Sequence, residues 1–76
     1  MNAESSETGI ARAVKAAGSQ GALAVALGVS QQSVSKWEAR GYAPVRRVVE
    51  IEQFTGVARG ELIDPKLVDL LDLSGI

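Results

Sequence analysis

An all-α fold is predicted by three features of the sequence. Apolar residues recur at three- and four-residue spacings, a glycine stands after most of these runs, and a serine, aspartate or proline stands before most of them. No segment makes a good strand candidate.

The first helix is predicted from about Ile10 to Ala17. Ile10, Ala13, Val14 and Ala17 fall at i, i+3, i+4 and i+7, and Gly18 supplies the stop. Ser19 caps a second helix, Gln20 to Leu27, with Leu23 and Leu27 on one face and Gly28 at the position favoured for a left-handed C-terminal residue. Only Gly28, Val29 and Ser30 separate it from a third helix, Gln31 to Arg40, for which Ser30 is a good N-cap and Gly41 the end. Pro44 marks the first turn of a fourth helix reaching about Thr55, with Gly56 after it. Val45, Val48, Val49 and Ile51 give this helix its apolar side, and Phe54 and Leu62 are expected to close the core near its end. Asp64 and Pro65 then read as N-cap and first residue of a fifth, tail helix, along which Ile63, Leu67, Leu70 and Leu71 fall at i, i+4, i+7 and i+8. The expected organisation is an acidic, flexible N-terminus at 1–8, a helical domain at 9–63 and a leucine-rich tail at 64–76.

Seventy-six residues hold one small core, and 46% apolar with 22% charged residues is the balance of a globular protein. No apolar run approaches the roughly 18–20 residues that span a bilayer, and the polar, acidic start does not read as a signal peptide. A cytoplasmic protein without membrane contact is expected. Cysteine and histidine are both absent, which removes disulfide staples, thiol nucleophiles, the usual zinc sites and imidazole acid–base chemistry. Glu50 and Glu52 stand two apart on a helix and point in different directions, so they make no catalytic acid pair. Neither an enzyme nor a cofactor or metal site is expected.

The formal net charge is −1, but it is unevenly spread. Met1 to Glu7 carries −2 and Glu61 to Ile76 carries −3, whereas Thr8 to Gly60 carries +4, with Arg12, Lys15, Lys36, Arg40, Arg46, Arg47 and Arg59 against three glutamates. A basic middle between acidic ends fits a basic binding face.

Two short helices joined by a three-residue, glycine-containing turn form a helix-turn-helix. Ala24, four residues before Gly28, is small enough for the second helix to cross closely, Val29 plugs the corner, and Val34 and Trp37 anchor the third helix to the core. At about 100° per residue the opposite side of that third helix presents Gln32, Ser35, Lys36 and Ala39, flanked by Gln31 and Arg40. None of these is a bulky aliphatic or aromatic residue. Glutamine reads adenine through paired hydrogen bonds in the major groove, and lysine donates to guanine O6 and N7.

The run from Gln20 to Glu38, with its core LGVSQQSVSKW, resembles the Cro/repressor helix-turn-helix family of phages. The wider stretch from Ala13 to Gly60, including AVKAAGSQGALA and RGYAPVRRVVEIEQFTGV, is similar to the YdaS-type Cro-like proteins of phages and prophages, sometimes described as antitoxins. The resemblance implies a compact four- to five-helix fold of the Cro and lambda-repressor kind with a C-terminal helical tail. It implies base contacts from Gln31 and Gln32, a place near phosphate or base for Ser33, a contact from Lys36 one turn further along the groove, and phosphate contacts from Gln20, Arg46 and Arg47; from their places on the third helix, Ser35 is expected to contact bases and Ser30, Ser33 and Arg40 phosphate. It also implies that Gln20 braces the first glutamine of the recognition helix. Pro44 departs from a plain polar loop and removes an N–H donor near the phosphate backbone.

The expected function is therefore a transcriptional regulator of the Cro-repressor type that binds operator DNA as a homodimer or higher oligomer. A single domain of this size makes too few contacts for tight specific binding, and two related by a twofold axis read both halves of a palindrome. The leucines of the tail, Leu67, Leu70, Leu71 and Leu73, are expected to carry self-association. The alternatives are an antitoxin that neutralises a partner toxin and regulates its own operon, and a protein-interaction module without DNA binding.

Overall fold

Each of the first three helices starts where a hydroxyl side chain replaces a missing intrahelical acceptor. A computed structural model describes residues 7–68 and places α1 at Gly9–Ala17, α2 at Gln20–Leu27, α3 at Gln31–Arg40 and α4 at Val45–Thr55. The Thr8 side chain accepts from the Ala11 N–H at 3.1 Å, Ser19 from Ala22 at 3.0 Å and Ser30 from Ser33 at 3.1 Å. Thr8 thus belongs structurally to α1 as its cap. A 3₁₀ turn at Arg59–Glu61 follows α4, and residues 65–68 begin a further helical turn. There the Asp64 carboxylate accepts from the Lys66 N–H at 3.0 Å. Leu70, Leu71, Leu73 and the first six residues lie outside the described part of the chain.

Pro44 is not in the first helical turn. It sits at the N-cap with ψ 143° and extended backbone, and its carbonyl accepts from the Arg47 N–H at 2.8 Å. Val45 and Arg46 accordingly keep their N–H groups at the helix end, where the cap residue contributes no side-chain hydrogen bond.

The core draws on all four α-helices: Ile10 and Ala13 from α1, Leu23 and Ala24 from α2, Val34 and Trp37 from α3, Val48 and Ile51 from α4, with Ala43 and Leu62 from the connections. The Ala43 N–H donates to the Leu62 carbonyl at 2.8 Å and ties the α3–α4 loop to the segment after the 3₁₀ turn. On the other side of that turn, Gly9 lies so close to the Glu61 carbonyl that a Cβ there would overlap it. Arg12 pairs with the Glu61 carboxylate nearby.

The apolar side of α4 differs from its sequence reading. Val48 and Ile51 are buried, but Val45 is 58% exposed, Val49 38% and Phe54 54%. The valines and isoleucine of this helix span an arc of about 160° at 100° per residue, wider than one contact face covers. Val45 and Val49 fall on one flank of the buried line and Phe54 on the other. Leu62 is fully buried, as expected, and closes the core without Phe54.

Among the described residues no helix is long and apolar enough to cross a membrane.

Candidate nucleic-acid interface

Gly28, with φ 71° and ψ 32°, makes the left-handed corner between α2 and α3, and Val29 returns its N–H to the Ala24 carbonyl at 3.0 Å. Ala24 is buried at this crossing, and Val29 packs half-buried against the core. Val34 and Trp37, 0% and 6% exposed, then fix which side of α3 turns inward. The two helices of the motif are thereby held as one unit, and the rotation of α3 about its own axis is set by its buried pair.

That rotation leaves Gln31, Gln32, Ser35, Lys36, Ala39 and Arg40 exposed along one side of α3. The described structure brings together all four residues read as base contacts. Ser30 and Ser33 stand at the start of the same helix, with their hydroxyl oxygens 3.1 Å apart. The Ser30 oxygen is also the cap of α3.

Gln20 opens α2 beside this face, but it does not brace Gln31. Its side-chain N–H donates to the Glu38 carboxylate at 2.7 Å, linking the start of α2 to the third turn of α3. Gln31 lies instead over Gly21, where a Cβ would stand 3.6 Å from its side-chain oxygen. The backbone around Gly21 therefore leaves space for that carboxamide to lie alongside α2.

The arginines separate into different roles. Arg40 donates from Nε to the Tyr42 carbonyl at 3.1 Å and stacks its guanidinium 4.5 Å from the centre of the Tyr42 ring. Arg47 is half-buried and donates to the Leu27 carbonyl at 3.4 Å and to the Glu50 carboxylate at 3.0 Å. It joins the C-terminal end of α2 to α4. Arg46, its neighbour, is exposed at the free N-terminal end of α4. Glu38, Tyr42 and Glu50 were not singled out as partners in the sequence. The Arg47–Glu50 pair has the i, i+3 spacing that helices favour, whereas Gln20 and Glu38 are 18 residues apart and carry no local signal.

Ion pairing sharpens the electrostatics. Of the seven cations between Thr8 and Gly60, Arg12 pairs with Glu61, Lys15 with Glu7, Arg47 with Glu50 and Arg59 with Glu52. Lys36, Arg40 and Arg46 make no ion pair among the described residues. The unneutralised positive charge of the middle segment therefore lies along α3 and at the start of α4.

A family model described as bacterial toxin YdaS matches residues 10–64, which include all of α2, α3 and α4. The chain belongs to the YdaS family. Among solved structures this YdaS-type chain is similar to the Cro protein from the putative prophage element Xfaso 1 in Xylella fastidiosa strain Ann-1. The two are 41% identical with a TM-score of 0.62, over 74% of this chain and 82% of that one. The match places the family's helices in a Cro-like, all-helical arrangement. No curated protein matches the chain.

Proposed function

We propose that this YdaS-type chain is a prophage regulator that binds operator DNA through α3. The observation that carries the reading is the coincidence of two independent features on one face. The side of α3 opposite Val34 and Trp37 holds hydrogen-bonding side chains, and of the three cations without an ion pair among the described residues, Lys36 and Arg40 stand on that side of α3 and Arg46 at the exposed start of α4. Direct readout needs the first and attraction to phosphate needs the second.

In this reading α3 enters the major groove with its N-terminal half toward the bases. Gln31 and Gln32 offer carboxamides to adenine, Lys36 donates to guanine, and Ser35 adapts to either. Arg46 and the N–H groups of Val45 and Arg46 meet the phosphate backbone, where the helix dipole adds to the attraction. Arg40 reaches phosphate from the far end of α3, and Gln20, Ser30 and Ser33 from the near end. Arg47 acts by holding α4 against α2, and it reaches phosphate only with what remains of its donor set. Two copies on a palindrome provide the affinity that one domain lacks, in the cytoplasm where the DNA is, and occupation of a promoter represses it.

Selection from a random duplex library at physiological salt, followed by sequencing, tests this. A recovered palindrome with its half-sites about one helical turn apart is expected. An unenriched pool would overturn specific recognition.

A second reading is favoured by the family's own description as a toxin. The same DNA face would then serve a toxin–antitoxin pair, with this chain as either member and a partner protein at the leucine-rich tail. Co-purification of a stoichiometric second protein from the native host supports it, and a chain that purifies alone counts against it.

A further inference from the structure

Arg40 is the last residue of α3, and the chain just beyond it is fixed from both sides. Gly41 turns with φ 95°, and the N–H groups of Gly41 and Tyr42 both donate to the Trp37 carbonyl, at 2.8 and 3.1 Å. Trp37 itself belongs to the core. On the far side of Tyr42, Ala43 is buried and donates its N–H to the Leu62 carbonyl at 2.8 Å. Residue 42 is therefore anchored before and after, and its carbonyl and half-buried ring are fixed points beside the end of the recognition helix.

Arg40 uses both of them. The Tyr42 carbonyl accepts from its Nε at 3.1 Å, and the centre of the Tyr42 ring lies 4.5 Å from the guanidinium carbon. A planar cation tied at Nε and stacked on an aromatic ring has given up much of its rotational freedom. Its Nη1 and Nη2 groups take no acceptor among the described residues, and together they form a fork that matches two phosphate oxygens. Arg12, Arg47 and Arg59 are each committed to a carboxylate, whereas Arg40 is committed only to Tyr42 among the described residues.

We propose that Tyr42 is a positioning residue for DNA binding, holding Arg40 against its ring and carbonyl so that the Nη edge meets one backbone phosphate. The proposal deepens the DNA-binding reading and rests on it. Its basis is preorganisation. A loose arginine at the end of α3 loses side-chain freedom when it meets phosphate, whereas a stacked one has lost it on folding. Arg40 then adds affinity for every sequence and preference for none, because phosphate carries no base information. A Tyr42 that merely finished α3 would change stability without changing what Arg40 does on DNA.

Two measurements on the full chain separate these roles. Without DNA, NMR of the Arg40 side chain reads the stack directly. Slow exchange of the Nε proton and ring-current shifts of the neighbouring methylene protons are expected in the wild type and in Tyr42→Phe, and are expected to vanish in Tyr42→Leu. With DNA, anisotropy titrations at several salt concentrations compare the wild type, Tyr42→Leu, Tyr42→Phe, Arg40→Ala and the Tyr42→Leu, Arg40→Ala double variant on the duplex recovered by selection. Circular-dichroism melting confirms that each variant folds. Tyr42→Leu is expected to weaken the twofold complex on the order of tenfold, a factor of about three from each copy, with the salt slope kept because the charge remains. Arg40→Ala is expected to lower the slope by about two, and Tyr42→Leu to add no further loss on that background. Tyr42→Phe keeps the ring and the carbonyl and should bind like the wild type. A wild type without the stack overturns the proposal, as does a Tyr42→Leu variant that binds normally or loses as much affinity without Arg40 as with it. A wild type that shows the stack but binds no duplex overturns the functional reading instead.

Discussion

Gln32 and Arg46 are both exposed polar residues beside the same duplex in the proposed complex, yet their removal has different consequences. A carboxamide aimed at a base edge discriminates, whereas a guanidinium aimed at phosphate attracts every sequence equally. Gln32→Ala is expected to cost roughly 1–3 kcal/mol of specific binding and to relax preference at one base pair. Arg46→Ala should weaken all duplexes alike and reduce the salt slope of the twofold complex by about two, one contact from each copy. Fluorescence anisotropy against matched and mismatched duplexes at several salt concentrations separates the two, and a uniform loss for Gln32→Ala would remove it from base readout. Trp37 presents the opposite case, a large aromatic on the recognition helix that faces inward. Being 6% exposed, it works by burial. Trp37→Ala should cost about 3–5 kcal/mol in urea unfolding, enough to unfold much of a domain this small.

At the scale of the element, α3 functions only if its start and its rotation are both fixed. The start is local. Ser30 accepts the Ser33 N–H, and Ser30→Ala is expected to cost about 1 kcal/mol of stability, read as a fall in Tm. Gly28→Ala meets no neighbouring atom within 4 Å, so its destabilisation of roughly 1–2 kcal/mol comes from the left-handed backbone alone. The coupling of α3 to α2 is not local. Glu38 reaches Gln20 from the third turn of the recognition helix, and Arg47 reaches the Leu27 carbonyl from α4. Glu38→Ala should leave the helices formed but loosen the start of α2 against α3, with amide chemical shifts changed in both helices relative to the wild type. A response limited to residues beside Glu38 would reduce the Gln20 contact to a surface hydrogen bond.

The whole molecule shows why a net charge of −1 does not exclude binding to a polyanion. Four of the seven cations in the middle segment are spent on carboxylates at Glu7, Glu50, Glu52 and Glu61, and two of these pairs, Arg12–Glu61 and Arg59–Glu52, tie α1 and α4 to the 3₁₀ turn. Of the remaining three, Lys36 and Arg40 stand on α3 and Arg46 at the start of α4. A twofold complex with three such contacts per copy should show a log–log salt slope of about −5, and a slope near zero would mean that the basic border does not meet phosphate. Arg12→Ala, which breaks the pair between α1 and the 3₁₀ turn, should leave that slope unchanged.

Much of this was legible without coordinates because it is written in short-range chemistry. The boundaries of α2 and α3, the caps Ser19 and Ser30 and the inward pair Val34 and Trp37 all depend on residues within a turn or two of one another, where spacing and side-chain type suffice. The same holds for the outward set Gln31, Gln32, Ser35 and Lys36, which follows once the inward pair is known. Other features depend on what a distant segment does. Phe54 and Val45 look like core residues along the chain, but the direction of burial on α4 is chosen by where α1 and Leu62 lie. Gln20 reads as a brace for Gln31 until the fold brings Glu38 nearer. Arg46 and Arg47 are adjacent and chemically identical, and only the position of the Leu27 carbonyl separates the exposed one from the half-buried one. Local sequence therefore sufficed for the helices, their ends and the inner and outer sides of α3, because helical geometry is periodic and capping is a near-neighbour interaction. The packing of helix on helix decided which arginines are left without an acidic partner among the described residues and which apolar side chains of α4 are left exposed, because both depend on contacts between residues far apart in the chain.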